Sequence, residues 1–473
     1  MTFKSFIDSP CGLRYMLDTL QLQTVFSKKI LLNTQMFVNG DEINDIYAQI
    51  DDLKQVAGNN ILSNLLCSLK DIEPTLLRLG DNAVLDEIEL FEIKYFAFKT
   101  GDIRNFILEN KLTKIVIPTL DTVLDILDPD KLRVPSFHIY SSYSVDLKRA
   151  RDEFRFVQFE IEKVGRLVSD TASASDDLLK KLDNLRDREG ELVDLMNKIE
   201  AQVRSDLSGR LLLYFKDLIL AYKEISSLDI ACAKALQIKQ MNLCIPSISL
   251  DSRTKLTKMF HPKVAALLEK KNKVFEAIDI SFASEAICII GANMGGKTVV
   301  LKSVGLCQLL FQFGFGVPAK EAVIDIKDNV LFCIGDDQNL EQGLSSFAAE
   351  MLGVDEIIKS VKQGNNILAL IDEPARTTNP IEGAALVSAL LNILYGKNLS
   401  LLLTTHYNVD GEAIKRLRVR GVIDGKMNYT LEETKEGDVP HEALQIALSL
   451  DVDKEWINEA KEVLFRKNLN NKY

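Results

Sequence analysis

The chain has 473 residues, 47% of them hydrophobic and 26% charged, which is too long for one core and ordinary for a globular protein, so two or three domains are expected. A formal net charge of −11 argues against a chain that grips nucleic acid over a basic surface, although a local basic face fits within an acidic total. Met1–Pro10 lacks the basic region and long apolar run of a signal peptide, no apolar run approaches the roughly 18 residues of a membrane span, and the cysteines (Cys11, Cys67, Cys232, Cys244, Cys288, Cys307 and Cys333) form no C-x-x-C pair, so buried thiols in a cytoplasmic protein are expected rather than a disulfide or zinc scaffold.

Met1–Asn33 has mixed helical spacing and little motif content. Asp41–Phe106 reads as helical, with Ile50, Leu53 and Val56 and then Leu62, Leu65 and Leu69 at helical intervals. The acidic run Asp86–Glu92 reads as a solvated helix face. Leu127–Pro135 holds Asp128-Pro129-Asp130 and a second proline, which predicts a turn followed by a short strand around Phe137–Tyr140. From Ser144 to Lys239 there is no proline, and charges of both signs alternate with Leu178, Leu182, Leu185, Leu192 and Leu195. Long antiparallel helices with a break near Ser169–Ser175 are expected, with no basic stripe. Pro246 marks a boundary. Beyond it, the apolar runs Ala286–Ile290, Ala322–Ile326, Val330–Ile334, Ile367–Ile371 and Leu401–Thr404 alternate with helical patterns at Val299–Phe311, Phe347–Lys362 and Gly383–Tyr395, the signature of a mostly parallel sheet covered by helices. The expected division is a helical region at 1–140, a pair of lever helices at 141–245 and an α/β domain at 246–473.

Chemistry concentrates in the last region. Gly291, Ala292, Asn293, Met294, Gly295, Gly296, Lys297 and Thr298 fit G-x-x-x-x-G-K-[ST] between an apolar run and an amphipathic one. Glycines there let backbone N–H groups turn inward onto phosphate, and the following helix adds its positive end. Lys297 is expected to reach the β- and γ-phosphates, and Thr298 to hold Mg²⁺ by its hydroxyl. The run Ile367–Ile371 ends in Asp372-Glu373, where Asp372 would enter the Mg²⁺ shell and Glu373 would polarise the attacking water. In Leu401–Tyr407 an apolar strand ends in Thr404-Thr405-His406-Tyr407, which puts His406 where a side chain senses a γ-phosphate.

These segments resemble the MutS family. The phosphate loop has that family's Asn-Met before Gly-Gly-Lys, Thr404–Tyr407 is similar to its Thr-His-Tyr, and Val317-Pro318-Ala319 to its Val-Pro-Ala. Gly335–Gln342 and Leu344–Phe347 resemble its glutamine and signature loops, and Thr378–Leu386 the loop after its acidic pair, in the form of the recombination-suppressing branch. The likeness is strongest over His261–Lys461 and weaker over Asp71–Phe91 and Ser144–Arg151. It implies an ABC-type P-loop ATPase domain, behind a mainly helical core and lever region, that uses ATP and Mg²⁺ and dimerises head to tail. It also implies that Ser345 or Ser346 reaches the nucleotide of the other subunit, that Phe275 stacks on adenine, that Asn293 contacts phosphate, that Gln338 couples the nucleotide to the helical arms, and that Ala443–Ala460 seals the dimer. There are departures: Ala292 stands in place of a proline, and Pro374-Ala375-Arg376 in place of a glycine-containing stretch. The family's mismatch-reading domain, its β-rich clamp (expected within Ser169–Ser208) and its nuclease module are not recognisable.

Two functions follow from the resemblance. One is a DNA-dependent ATPase of mismatch repair or recombination. The other is an ATP-driven factor that remodels a protein, such as a reactivase of a cobalamin-dependent aminomutase, without binding DNA. A dead nucleotide site is disfavoured because Lys297, Thr298, Asp372, Glu373 and His406 are all present.

Overall fold

The computed structural model describes residues 1–132, 138–170, 176–291, 296–335, 346–407, 409, 414–423, 426–434 and 453–470. It divides into two compact units, one comprising Met1–Gln21, Leu31–Lys54 and Ala233–Tyr473, the other Leu22–Ile30 and Gln55–Cys232.

The first unit contains two sheets. Strands β1 (Ser247–Ile248), β2 (Thr254–Met259), β3 (Ile278–Phe282) and β5 (Glu321–Ile324) form a four-stranded sheet in the order β1-β5-β2-β3. Strands β4 (Ala286–Ile290), β6 (Asn329–Cys333), β7 (Ile367–Asp372), β8 (Leu399–Thr404), β9 (Lys415–Ile423) and β10 (Lys426–Glu433) form a six-stranded sheet in the order β10-β9-β4-β8-β7-β6. Its neighbours from β9 to β6 all pair parallel, and only β10 runs antiparallel, against β9. All five apolar runs expected as strands overlap strands, but Ala322–Ile326, expected in the parallel sheet, falls on β5 of the four-stranded sheet, antiparallel to β2; the three helical patterns fall on helices Lys297–Gln312, Ser346–Lys362 and Pro380–Leu394.

The parallel strands are apolar at successive positions because both faces of the sheet are covered. Ile367, Ala369, Ile371, Leu399, Leu401 and Leu403 pack with Ile357, Val361, Val387 and Leu391 of helices Ser346–Lys362 and Pro380–Leu394. On the other face lies helix Lys297–Gln312, whose Gly305 sits so close to Phe332 and Leu370 that an added Cβ would lie 2.4 Å and 2.7 Å from their side chains.

The end of that helix accounts for the placement of the N-terminal segments. The last carbonyls of a helix have no partner within it. Here Tyr47 Oη donates to Phe311 O at 3.1 Å and to Phe315 O at 2.8 Å, Phe37 N donates to Gln312 O at 2.9 Å, and Lys234 Nζ donates to Phe313 O at 2.7 Å. Phe3 packs edge-on to Phe313 at 5.0 Å and stacks on Phe315 at 5.6 Å. Met1–Gln21 and Leu31–Lys54 therefore belong with the α/β unit, whereas the sequence division placed everything before residue 140 in a helical region.

The second unit is helical. Helices Val145–Asp170 and Asp176–Leu212 pair as an antiparallel hairpin, cross-linked by Arg151–Glu200 at 2.7 Å, Arg188–Glu153 at 2.7 Å and Lys181–Glu160 at 3.8 Å. A further break at Leu213–Tyr214, unmarked by proline or by an adjacent glycine, precedes helix Phe215–Met241. The acidic run has a specific use. Asp86 caps helix Glu87–Glu109, accepting from Glu89 N while Glu89 Oε2 accepts from Asp86 N, a reciprocal capping box that the spacing D-x-x-E announces. The strand expected around Phe137–Tyr140 is not formed by His138–Tyr140, while Phe137 lies outside the described residues. Lys94, buried in helix Glu87–Glu109, pairs with buried Asp128 at 3.0 Å, so the Asp-Pro-Asp turn serves an internal ion pair.

Candidate nucleotide site

Strand β4 delivers the chain to Gly291 at the C-terminal edge of the parallel sheet, and helix Lys297–Gln312 begins after Gly296. Gly296 has φ +78°, a left-handed conformation in which a side chain is strained, and this lets the chain turn into the helix. Ala292, Asn293, Met294 and Gly295 lie outside the described residues. Lys297 is almost fully buried. Its Nζ donates to Gly291 O at 2.6 Å and lies 3.2 Å from Glu373 Oε1. Its ammonium is thus folded back over the loop it belongs to.

The β7–β8 register, with Asp372 opposite Thr404, brings the acids to the loop. Thr298 Oγ1 donates to Asp372 Oδ2 at 2.7 Å, and Thr404 Oγ1 donates to Asp372 Oδ1 at 2.6 Å, so both carboxylate oxygens are oriented. Glu373 N donates to Thr404 Oγ1 at 2.9 Å. Glu373 has φ +48° and Ala375 φ +60°, two left-handed non-glycine residues in one short turn, a kind of strain that collects at functional sites. The turn is held from outside. Ala375 N donates to Glu350 Oε1, and Tyr407 Oη donates to Ala375 O at 2.7 Å. Burial, with Glu350 and Glu373 nearby, raises the Tyr407 phenol above its ordinary range, which keeps it a donor. An added Cβ on Gly383 would lie 2.7 Å from Tyr407 Oη, so helix Pro380–Leu394 leaves room for that ring only because the residue is glycine. Arg376 Nη1 lies 3.7 Å from Glu373 Oε2.

The donor chemistry fits Mg²⁺. A hydroxyl and a carboxylate meet at one point, both hard oxygen ligands, and magnesium usually takes one or two protein groups with the rest from water and phosphate. No group of three or more His, Cys, Asp or Glu side chains suited to a metal occurs among the described residues. The loop fits phosphate as well, through the glycine entry, the helix N-terminus and a buried ammonium whose partners include a carbonyl and a carboxylate.

Of the residues singled out by sequence, Gly291, Gly296, Lys297, Thr298, Asp372 and Glu373 converge. His406 stands beyond the end of β8, exposed, its ring 4.4 Å from that of Tyr407, and the hydrogen bonds that build the cluster run through Thr404 and Tyr407. Phe275 is half-buried in the wall of a hollow of about 570 Å³ that Tyr15, Gln240, Phe260, Pro262 and Val274 also line. Ser345 and Gln338 lie outside the described residues, as do residues 443–452 of the expected dimer tail; a helix Lys454–Asn470 covers its end. Sequence reasoning missed Thr404 as the group that holds the Asp372 carboxylate and the Glu373 backbone, and Glu350 as the acceptor for the turn. Thr404 lies in the segment Thr404–Tyr407 that was singled out for its histidine, and Glu350 lies in no motif.

The family model described as MutS domain V matches residues 287–438, which take in the phosphate loop, the acidic pair and the end of β8. Among curated relatives, the Endonuclease MutS2 of Finegoldia magna is 33% identical over 293 residues, 58% of this chain and 36% of that protein. The Endonuclease MutS2 of Pediococcus pentosaceus is 26% identical over 456 residues, 83% of this chain and 56% of that protein. That of Streptococcus pyogenes serotype M49 is 28% identical over 433 residues, 82% of this chain and 54% of that protein. The chain thus spans between about a third and just over half of the length of these relatives. The phosphate loop and the acidic strand end, joined in one site, lie within a segment that matches MutS domain V.

Proposed function

We propose that the protein is a Mg²⁺-dependent ATPase of the ABC type that works as a molecular switch. The observation that supports this best is the 2.7 Å contact between Thr298 Oγ1 and Asp372 Oδ2, which joins the phosphate loop to the acidic strand end. Thr298 and Asp372 would hold the metal, whose charge offsets the negative charge developing on the phosphoryl oxygens. Lys297 exchanges Gly291 O and Glu373 for the β- and γ-phosphates. Glu373 orients the attacking water and accepts its proton as the bond to the leaving ADP breaks. His406 faces the γ-phosphate, Phe275 the adenine, and Asn293 in the loop a phosphate. In a homodimer, Ser345 of one subunit closes over the nucleotide of the other, and Gln338 passes the change to the helices of the second unit. Closure moves those helices, and hydrolysis releases them. The protein is proposed to act in the cytoplasm; no helix among the described residues is long and apolar enough to cross a membrane.

By family, the client is DNA, in mismatch repair or recombination, in line with relatives that bear the name endonuclease. A protein client is the second reading, and it is favoured by the charge of the helical hairpin, where basic side chains sit beside acids of the same unit.

Substitution at two positions tests the site. Lys297→Ala is expected to abolish ATP binding, measured with a fluorescent nucleotide. Glu373→Gln is expected to retain binding and slow hydrolysis by roughly 10²–10⁴-fold, the usual contribution of a general base. Normal turnover in Glu373→Gln would remove Glu373 from that role, and unchanged binding in Lys297→Ala would remove the nucleotide from this loop.

A further inference from the structure

Glu373 has a cation on each side. Lys297 Nζ lies 3.2 Å from Oε1 and Arg376 Nη1 3.7 Å from Oε2. The two cations differ in surroundings. Lys297 is 3% exposed at its side chain and Glu373 12%, whereas Arg376 is 49% exposed. A nucleotide in the loop needs the lysine. Its phosphates and the Glu373 carboxylate then compete for one ammonium, and a carboxylate left in a largely desolvated place beside a triphosphate is strongly disfavoured unless another cation stays with it. The turn supplies that cation. The left-handed conformations at Glu373 and Ala375 fold the chain so that residues 373 and 376 lie side by side, and the anchors of Ala375 on Glu350 and Tyr407 fix the turn while the guanidinium stays half exposed.

We infer that Arg376 is the positioning residue of this site. It keeps hold of the Glu373 carboxylate when nucleotide draws Lys297 away, so that the base stays aimed at water instead of being repelled by the phosphates. This inference rests on the ATPase reading given above and adds to it the device that lets one carboxylate pair with the phosphate-loop lysine in the empty site and serve as a base in the filled one. Arg376 acts through Glu373 and touches neither nucleotide nor metal.

The test is a double-mutant cycle on the full chain. ATP affinity and single-turnover hydrolysis of radiolabelled ATP are followed in the unsubstituted protein and in Arg376→Ala, Arg376→Lys, Glu373→Gln and the Glu373→Gln/Arg376→Ala pair. Contacting residues couple strongly enough that Arg376→Ala is expected to lower the hydrolysis rate about tenfold. ATP affinity is expected to stay within about twofold, a rate-against-affinity split that a misfolded loop would not give. Arg376→Lys, which keeps the charge, should recover most of the rate. In the Glu373→Gln background, Arg376→Ala should change nothing further. Full activity in Arg376→Ala overturns the inference. So does an equal loss in both backgrounds, which would mean that Arg376 acts on the nucleotide directly. Failure of the unsubstituted protein to bind ATP is a different result and removes the ATPase reading itself.

Discussion

Thr404 holds the Asp372 carboxylate and the Glu373 backbone with a single hydroxyl. It donates to Asp372 Oδ1 at 2.6 Å and accepts from Glu373 N at 2.9 Å, while Thr298 takes the other oxygen of Asp372 at 2.7 Å. Groups that orient a metal ligand typically change metal affinity 10–100-fold when removed. Thr404→Val, nearly equal in shape, is therefore expected to raise the Mg²⁺ concentration for half-maximal ATPase activity by about 10-fold or more, with binding of metal-free nucleotide retained; a Mg²⁺ titration of the rate checks this. An unchanged Mg²⁺ requirement would show that Asp372 is held well enough by its own strand. The same substitution leaves Asp372 Oδ1 without that donor, so a stability loss of about 1–3 kcal/mol is expected in denaturant unfolding. At this scale the sequence was partly legible. Gly291, Gly296, Lys297 and Thr298 follow from one spacing rule, and Asp372-Glu373 from an apolar run ending in acids. Thr404 was not legible, because its role arises from the β7–β8 register that sets it opposite Asp372, a tertiary fact. The pairing of Lys297 with Glu373 was likewise hidden, since each was read only in its contact with nucleotide.

Helix Lys297–Gln312 connects the loop to the core, and Gly305 sets how closely it lies on the sheet. An added Cβ there would lie 2.4 Å from Phe332 Cε1 and 2.7 Å from Leu370 Cδ1, in an interior without spare volume. Gly305→Ala is expected to push the helix outward and cost about 1–3 kcal/mol in denaturant unfolding, the range for overpacking. The displacement also reaches Lys297 and Thr298 in the first turn, so ATP affinity should fall with stability. Undiminished stability would mean that Phe332 swings away freely. The parallel strands were legible because burial on both faces makes them continuous apolar runs of a length strands favour. Of the second sheet only β5 was expected, as the run Ala322–Ile326 and in the wrong sheet; β3 was overlooked, although its Ile278, Ile280 and Phe282 alternate as a half-buried strand does. In β2, lysines and threonines interrupt the run, and only Leu256 and Met259 mark its apolar side. The break at Leu213–Tyr214 carries no proline or adjacent glycine, so nothing local forecasts it. The early helices were read as one region because helical spacing reports which face of a helix is buried and not what covers it; the capping of Phe311 and Phe315 by Tyr47 is set by the fold.

Charge is the property of the whole molecule that bears on its client. The chain carries 57 Lys and Arg against 68 Asp and Glu, and in the described helical hairpin several cations lie beside acids. Arg149 lies 3.7 Å from Asp146, Arg155 3.6 Å from Asp152, Lys163 3.5 Å from Glu160, and Arg188 2.7 Å from Glu153 and 2.8 Å from Glu191. Exposed pairs of this kind add little stability. Their consequence is for binding: a DNA phosphate approaching any of these cations meets the acid beside it, and must displace a carboxylate while being repelled by it. Few counterions are then released, and the salt dependence of affinity counts them, with a slope near −0.9 per phosphate neutralised. We expect binding to duplex, mismatched and four-way-junction DNA to be weak and alike, with a log–log salt slope no steeper than about −3, measured by fluorescence anisotropy between about 50 and 200 mM salt with and without ATP. A steep slope, or a junction preference that survives at the upper salt limit, would establish DNA as the client and show that this pairing gives way to phosphate. A shallow slope alongside ATPase activity that depends on Lys297 and Glu373 would separate the two halves of the molecule's chemistry. The nucleotide site would be the family's, and the helices it moves would engage a surface less uniformly negative than DNA, as a protein client offers.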